Sequence, residues 1–250
     1  KNLLLLLFAV TFITNDHRKA TAMQNNDVTP DGFVPLFNGE DLNGWYGWGT
    51  QDPSDFRNMS PEEQSDYKEK SISGGLLNAK GKDTNDNINA HGRVENGEVI
   101  NDGKGLYLTT AKEFGDFELL VDYKMQPLGD SGIYLRGIPQ VQIWDSTEEK
   151  KFKLGADKGS GGLWNNKRSR NAPLTLADKR PGEWNTFLIR MVGNKVTIWL
   201  KDKLIGDRSE LDKLWDKTGK SPLIRANQIE LQHHGSELVF KNMYIRELPY

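Results

Sequence analysis

The sequence from residue 94 onward is a series of short alternating segments separated by glycine and proline turns, and this pattern constrains the fold most. Alternation of apolar and polar residues is typical of β-strands that are buried on one side. The predicted strands cover residues 94–100 as an Asn-Gly hairpin, 106–110, 117–125, 131–145 as a second hairpin, 183–191, 195–200, 228–233 and 238–247. This all-β pattern, with many turns and few helices, predicts an antiparallel sandwich or barrel.

Two short helices are predicted outside the strands. Ser60-Pro61-Glu62-Glu63 matches a capping box with proline at the first helical position. The second predicted helix covers Ser209–Trp215. Residues 46–90 are otherwise hard to interpret and are treated as an insertion, and the Asn-, Asp- and Gly-rich part at 78–89 predicts a long loop. Long loops in compact domains are functional or mobile, and the sequence leaves both open.

The N-terminus has the features of an export signal. Lys1 precedes an apolar stretch, Leu3–Ile13, and the small residues Ala20-Thr21-Ala22 are typical of a cleavage site. The predicted organisation is a signal peptide at 1–22, a polar linker at 23–31 and one domain at 32–250, in a periplasmic or extracellular protein. A buried N-terminal strand or helix is the alternative. No run of 18 apolar residues occurs, so no membrane span is predicted.

Composition excludes several functional classes. The 250 residues include 33 Lys and Arg against 35 Asp and Glu, a net charge of −2, and removing residues 1–22 would leave −4. This mild acidity argues against a nucleic-acid partner. The absence of cysteine excludes disulfides, thiol nucleophiles and thiolate metal sites. Serine-hydrolase, phosphate-loop, dinucleotide-binding and His-Glu-x-x-His motifs are absent as well.

The hairpin at 131–145 carries polar and aromatic side chains on one side. Because successive strand side chains point to opposite faces, Tyr134 and Arg136 are predicted to share one face of the first strand. Gln140, Gln142 and Trp144 share one face of the second. An aromatic ring beside a guanidinium and two amides suits a sugar, whose C–H face stacks and whose hydroxyls need donors and acceptors. An ordinary solvent-facing sheet surface is the alternative.

The last histidines lie at the end of a predicted strand. Alternation places Glu230, Gln232 and His234 on one face, with His233 on the other. His234 is a candidate general acid or base, since histidine titrates near neutral pH, and a structural rim histidine is the alternative. Two adjacent strand histidines point apart, so they do not chelate a metal by themselves. His91 stands alone in a loop.

Carboxylates are scarce where a glycosidase would need them. A retaining glycosidase needs two carboxylates about 5–5.5 Å apart. The strand at 140–144 has amides in those positions, and Asp145 follows at its end. Glu118 and Asp122 share a face of their own strand, and a solvent-facing surface is the alternative for that face. Ordinary two-carboxylate hydrolysis on the strand at 140–144 is therefore disfavoured.

Several motifs resemble the 3-keto-disaccharide hydrolase domain family of the concanavalin A-like superfamily. They are Leu-Phe-Asn-Gly-Glu-Asp-Leu-Asn-Gly-Trp at 36–45, Phe-Gly-Asp-Phe-Glu-Leu at 114–119, Asp-Ser-Gly-Ile-Tyr-Leu-Arg at 130–136, Gln-Val-Gln-Ile-Trp-Asp at 140–145, Pro-Gly-Glu-Trp-Asn at 181–185, Ile-Glu-Leu-Gln-His-His-Gly at 229–235 and Phe-Lys-Asn-Met-Tyr-Ile at 240–245. The resemblance covers residues 32–248. It implies a jelly roll of two curved antiparallel sheets with few short helices, a ligand on the concave face, and a secreted or periplasmic bacterial protein acting on sugars.

The chemistry implied by the resemblance needs only one base. A ketone at C3 acidifies the proton at C2, a base removes it, the aglycone leaves C1 by elimination, and water adds afterwards. On this hypothesis Arg136 and Gln142 bind sugar oxygens, including the enolate, and His234 or Asp145 handles the proton. Tyr134 and Trp144 form the sugar platform. The remaining predicted substrate-binding residues are Gln140, Gln232, Glu118 and His91.

One departure from the family bears on the activity. Many relatives have a glutamate two residues before the position of Gln142, where this chain has Gln140. The alternatives are a carbohydrate-binding module or lectin without turnover, and an ordinary endo-glucanase. No organic cofactor is implied. Jelly rolls often hold a structural calcium, but no dense aspartate loop predicts one here. The sequence does not determine the oligomeric state.

Overall fold

The computed structural model describes residues 29–137, 140–164, 166, 172–211 and 224–249. The predicted signal peptide, most of the predicted linker and the end of the predicted helix at 209–215 lie outside the described residues. None of the helices in the described ranges has the length and apolarity needed to cross a lipid bilayer.

The domain is a jelly-roll sandwich of two antiparallel sheets. The eight-stranded sheet runs, in order, through β12 (Lys203–Glu210), β11 (Lys195–Leu200), β10 (Asn185–Val192), β6 (Phe117–Met125), β14 (Leu238–Glu247), β4 (Glu98–Asn101) and β3 (Gly92–Glu95), with β1 (Val34–Pro35) also paired to β14. The six-stranded sheet has the order β2 (Trp45–Trp48), β5 (Tyr107–Thr110), β13 (Ile229–His233), β7 (Asp130–Leu135), β8 (Gln140–Trp144) and β9 (Leu163–Trp164).

The helices are short and lie in the connections. They are α1 (Pro53–Arg57), α2 (Pro61–Ser73) and α3 (Ile88–His91), with 3₁₀ helices at Glu149–Leu154 and Ala156–Lys158. The predicted capping box of α2 is confirmed: Ser60 accepts from the Glu63 amide at 3.2 Å, and the Glu63 carboxylate accepts from the Ser60 amide at 2.7 Å. The predicted helix at 209–215 is wrong at its start, because Ser209 and Glu210 pair with β11 and extend β12.

The core lies between the two sheets and consists of alternate residues from each. Phe117, Leu119 and Val121 of β6 are at most 1% exposed, as are Ile133 of β7 and Ile143 of β8. Fully burying a side chain of this size contributes about 1.5–3 kcal/mol. Because these positions point inward, the residues between them on β7, β8 and β13 must point away from the core. The hydrophobic pattern of the six-stranded sheet therefore fixes which side chains form its outward face.

An aromatic cluster attaches the first two helices to the β2 edge of the six-stranded sheet. Tyr46 and Trp48 of β2 each lie 5.4 Å, between ring centroids, from Phe56 of α1. Tyr67 of α2 lies 5.1 Å from Trp48 and 6.0 Å from Phe56. Since Trp45 belongs to the main core, Tyr46 and Trp48 point to the outward face. Residues 46–48 of the predicted insertion thus form part of strand β2, and its helices α1 and α2 pack against the outward face.

Candidate functional site

The outward face of the six-stranded sheet carries five polar side chains at its centre, and we call this set the polar face. It consists of Tyr134, Gln140, Gln142, Glu230 and Gln232. Strand register places Tyr134 between Glu230 and Gln140, and it places Gly132 between Gln232 and Gln142. None of the five residues is more than 6% exposed. Alternation within each strand predicts that Gln140 and Gln142 share a face and that Glu230 and Gln232 share a face; register brings the two pairs together.

Glu230 is the most unusual group of the polar face. Its side chain is buried, and no described residue donates a hydrogen bond to it. Burial raises the pKa of its carboxyl to about 8 because the charged form loses its hydration. A carboxyl of this kind exchanges a proton near neutral pH, and perturbed groups of this kind are concentrated at functional sites.

Three phenols lie close to the Glu230 carboxyl. Burial raises the pKa of Tyr46, Tyr67 and Tyr134, and the negative charge of Glu230 raises each of them further. Tyr134 is the direct strand neighbour of Glu230, Tyr46 extends the same row through Thr109, and Tyr67 approaches from α2. These hydroxyls therefore stay protonated at any ordinary pH and remain hydrogen-bond donors.

The glutamines form a bonded ladder. Gln140 Nε2 donates to Gln142 Oε1 at 2.6 Å, and Gln142 Nε2 donates to Asp130 Oδ1 at 2.7 Å. Lys151 Nζ lies 3.1 Å from the other oxygen of Asp130. The buried Oε1 atoms of Gln140 and Gln232 accept no hydrogen bond from the described residues. Two buried acceptors on the polar face are thus without a hydrogen-bond donor among the described residues.

Aromatic rings border the polar face on both sides. On one side, Tyr107 stacks on Tyr134 at a centroid distance of 6.2 Å. On the other, Trp144 packs edge-on against Trp164 at 5.6 Å and donates from Nε1 to the Gly159 carbonyl at 2.9 Å. Trp144 is only 5% exposed, so little of its ring surface is available as the predicted platform. Trp164, the strand neighbour of Gln140, was not among the predicted site residues.

The predicted shared face of Tyr134 and Arg136 is wrong. The strand ends at Leu135, and Arg136 lies in the following turn with a φ of 55°, so strand alternation no longer applies. Its side chain is 1% exposed and meets acceptors both near the ends of the eight-stranded sheet and in the segment that precedes β13. These partners are the carbonyls of Gly193, Ile224 and Arg225, the Met191 sulfur and the Asp116 carboxylate. Its donors are occupied, so the predicted contact with an enolate oxygen is not available in this structure.

Two of the predicted acids, Asp145 and Glu118, have hydrogen-bond or ion-pair partners away from the polar face. Asp145 accepts from the amides of Leu128 and Thr147, both at 2.9 Å, and from the Thr147 hydroxyl at 2.7 Å. Burial would raise its pKa, but these hydrogen bonds outweigh burial and lower the pKa of Asp145, which makes it a weak base. Glu118 belongs to the eight-stranded sheet and pairs with Arg190 and Arg246. It lies in the other layer from the polar face, so the structure does not bring Glu118 together with the predicted site residues there.

The histidines lie at the margin of the six-stranded sheet or beyond it. His91 ends α3, and its Nδ1 is 3.1 Å from an oxygen of Asp102. His234 is exposed and follows the last residue of β13. His233 is buried with its ring centroid 5.1 Å from that of Tyr107, and burial lowers the pKa of its imidazole. The structure therefore does not bring His91 onto the polar face, and the acid–base role of His234 stays a prediction.

Glu230 and Tyr67 are two of the residues that the sequence did not mark as site residues, as are Tyr46 and Trp164. Alternation did place Glu230 beside Gln232, but no local pattern indicates that a strand carboxyl is buried without a partner. Tyr67 lies in the insertion, whose packing depends on rings distant in sequence. Across the described ranges, no three His, Asp or Glu side chains are grouped closely enough to hold a metal ion.

Comparisons with known proteins agree with this architecture. The family model of the 3-keto-alpha-glucoside-1,2-lyase-like domain matches residues 32–246. A curated 3-keto-disaccharide hydrolase of Bacteroides thetaiotaomicron is 23% identical over 265 aligned positions, covering 88% of this chain and 80% of that protein. Two crystal structures from Parabacteroides distasonis ATCC 8503, both provisionally named glycosyl hydrolases, are 20% and 23% identical, with TM-scores of 0.59 and 0.51. They match 87% and 65% of this chain, and 94% and 92% of their own.

Proposed function

Because the chain belongs to the 3-keto-alpha-glucoside-1,2-lyase-like domain family, we propose that it is a glycosidase-type enzyme that cleaves 3-keto-glycosides or a related oxidised saccharide by elimination and hydration. The observation that carries the proposal is the buried Glu230 carboxyl at the centre of the polar face, to which none of the described residues donates a hydrogen bond. A pKa of about 8 suits a group that must take up and release a proton near neutral pH.

The proposed reaction proceeds in two stages. The ionised Glu230 removes the proton from C2 of the sugar, and the electron pair forms an enolate whose negative charge rests on the C3 oxygen. Collapse of the enolate restores the C3 carbonyl, forms a C1–C2 double bond and breaks the bond from C1 to the aglycone oxygen, which takes up a proton. Water then adds hydroxide to C1 and a proton to C2, so that the net change is hydrolysis.

The phenols around Glu230 supply the donors for the enolate. Tyr46, Tyr67 and Tyr134 keep their protons because burial and the Glu230 charge raise their pKa values. Fixed donors aimed at a developing oxyanion stabilise it most strongly in a site that excludes water. These hydroxyls take the role that the sequence had suggested for Arg136.

The supply of carboxylates favours elimination over double displacement. The six strands of the sheet contain two acidic residues, Glu230 and Asp130. Asp130 is held by Lys151 and Gln142, so Glu230 is left as the one free carboxyl on these strands. A substrate that carries its own carbonyl needs one base, whereas a retaining glycosidase needs two carboxylates about 5–5.5 Å apart.

Release of nitrophenol from a 4-nitrophenyl 3-keto-α-glucoside, compared with the unoxidised glucoside, tests the proposal. We expect release only from the oxidised compound. We expect the rate of release by E230Q to be lower by a factor of about 10²–10⁴. E69Q, at an exposed position of α2, is the matched control. In D₂O, enzymatic deuterium incorporation at C2 above the enzyme-free level distinguishes elimination from displacement at C1. Binding without release would support the lectin alternative instead.

Export is a second part of the proposal and rests on residues 1–22 alone. Their basic start, apolar stretch and small-residue site are typical of a signal peptide. Mass spectrometry of the N-terminus of protein recovered from the cell envelope or medium tests it. A mature chain that retains residues 1–22 would contradict cleavage.

A further inference from the structure

We propose that Asp130 is a positioning residue that, held by Lys151, fixes the orientation of the Gln140–Gln142 ladder and makes the polar face present bare acceptor oxygens to its ligand. The inference deepens the proposed function and depends on it only in placing the ligand on the polar face. Its basis is that several groups around the two amides can only accept hydrogen bonds and another can only donate them.

The orientation of Gln142 follows from partners that can only accept. Its Nε2 lies 2.7 Å from Asp130 Oδ1, 3.0 Å from the Ser131 carbonyl and 3.2 Å from the Ile143 carbonyl. A carboxylate and a backbone carbonyl have no proton to donate, so the amide nitrogen must occupy this side. The Oε1 of Gln142 therefore faces Gln140.

Because Gln142 presents its carbonyl oxygen, Gln140 must present its amide nitrogen as the donor. The 2.6 Å contact from Gln140 Nε2 to Gln142 Oε1 leaves the Gln140 carbonyl oxygen as the end of the amide that takes no part in the ladder. That oxygen is buried and accepts no hydrogen bond from the described residues. Gly132 provides the space for this amide, because a Cβ at position 132 would lie 2.9 Å from Gln140 Cδ and 3.0 Å from its Oε1.

Lys151 keeps Asp130 in its accepting role. Lysine has three donors and no acceptor, and Lys151 lies 3.1 Å from Asp130 Oδ2 and 2.9 Å from Glu148. It engages one carboxylate oxygen and leaves the other for Gln142. A buried acceptor left unpaired is costly, so the buried, unpaired oxygens of Gln140 and Gln232 favour a ligand that brings donors there. Hydroxyl groups satisfy them, and carboxylate, sulfate or phosphate groups do not.

The variant D130N tests the orientation of the Gln142 amide, because asparagine can present either a carbonyl oxygen or an amide nitrogen to it. Lys151 will take the carbonyl oxygen of the introduced asparagine, which turns the new amide nitrogen toward the Gln142 nitrogen and sets donor against donor. We expect KM for 4-nitrophenyl 3-keto-α-glucoside to rise about tenfold, with kcat within about twofold, because an oriented hydroxyl contact acts equally on ground and transition states.

A second substitution should reverse the effect. In D130N/K151M the carbonyl oxygen of the introduced asparagine is released and can turn to Gln142, so we expect most of the lost affinity to return. D130N/K153M is the matched control, since Lys153 is exposed on the same 3₁₀ helix. It should remain as weak as D130N. A merely structural role for Asp130 would make the first double variant no better than the single one.

Two further readouts separate this inference from the proposed reaction. The side-chain amide NMR signals of Gln142, recorded without ligand, should shift in D130N and return toward the wild-type position in D130N/K151M. Calorimetric binding of the unoxidised 4-nitrophenyl α-glucoside should follow the same order. If the wild-type protein releases no nitrophenol, the proposed reaction fails while these two readouts still decide the orientation. Unchanged amide signals in D130N, or absence of rescue, would overturn the inference.

Discussion

Replacing Glu230 with glutamine should change the pH dependence of stability in a direction that the structure specifies. Burial raises the pKa of the folded carboxyl from 4.5 to about 8. Between these values the folded chain holds a proton that the unfolded chain has lost, so wild-type stability falls as pH rises from about 4.5 through 8. Each pH unit lowers the free energy of unfolding by about 1.4 kcal/mol, so the total loss above pH 8 is about 5 kcal/mol. E230Q has no such proton and should lack this slope.

Urea unfolding of both proteins at pH 5 and pH 9 measures the effect. Any fixed cost of burying the glutamine amide is the same at both pH values, so the informative quantity is the change in the difference between the two proteins. We expect E230Q to gain several kcal/mol relative to wild type between pH 5 and pH 9. E69Q, exposed on α2, should show no such gain. Equal differences at the two pH values would refute a buried Glu230 carboxyl.

The same titration should appear in catalysis. At pH 7 a carboxyl with a pKa of about 8 is ionised in about a tenth of the molecules. If the ionised form is the base, kcat/KM should rise about tenfold per pH unit below pH 8 and level off above it. A rate that is flat from pH 6 to pH 9 would exclude Glu230 as the group whose ionisation limits the reaction.

Three further substitutions separate binding, catalysis and stability. R136M should lower the free energy of unfolding by about 3 kcal/mol in urea titration, because it strands the carbonyls that the buried guanidinium binds; unchanged stability would contradict this. G132A places a Cβ 2.9 Å from Gln140 Cδ, so KM should rise severalfold while kcat changes little; an unchanged KM would show that the amide moves freely. Y67F removes one phenol near Glu230 and should lower kcat about tenfold, whereas a kcat equal to wild type would remove Tyr67 from the site.

The strands and the polar face could be predicted because both depend on local alternation. β6, β11 and β14 have the predicted bounds, since their core-facing residues recur at every second position. The α2 capping box is equally local, as it involves residues three apart. Gln140 and Gln142 share the predicted face of β8, and Gln232 shares that of β13 with Glu230, for the same reason. These features need no knowledge of which segments meet in space.

Arg136 and Glu230 show where local pattern stops being informative. The strand ends one residue earlier than the alternation suggests, and Arg136, at a positive φ, binds acceptors away from the polar face. Glu230 obeys the alternation, but its burial without a donor among the described residues depends on the neighbouring strands and on the packing of Tyr67 from α2. Whether a buried carboxyl has a partner depends on segments that meet only in the folded sheet, so it cannot be predicted from a short stretch of sequence.

The ladder also explains why glutamine suits position 140 in this chain. Resemblance to the family leads one to expect a glutamate there, but Gln142 turns its carbonyl oxygen toward position 140 at 2.6 Å. A carboxylate would set acceptor against acceptor at that distance, and Gln142 cannot turn over while Asp130 and the Ser131 carbonyl hold its nitrogen. An amide is the side chain of matching length that donates to Gln142 and still offers an oxygen to a ligand. Glutamine at 140 also leaves Glu230 as the only ionisable carboxyl in its row of the sheet, as a one-base elimination requires.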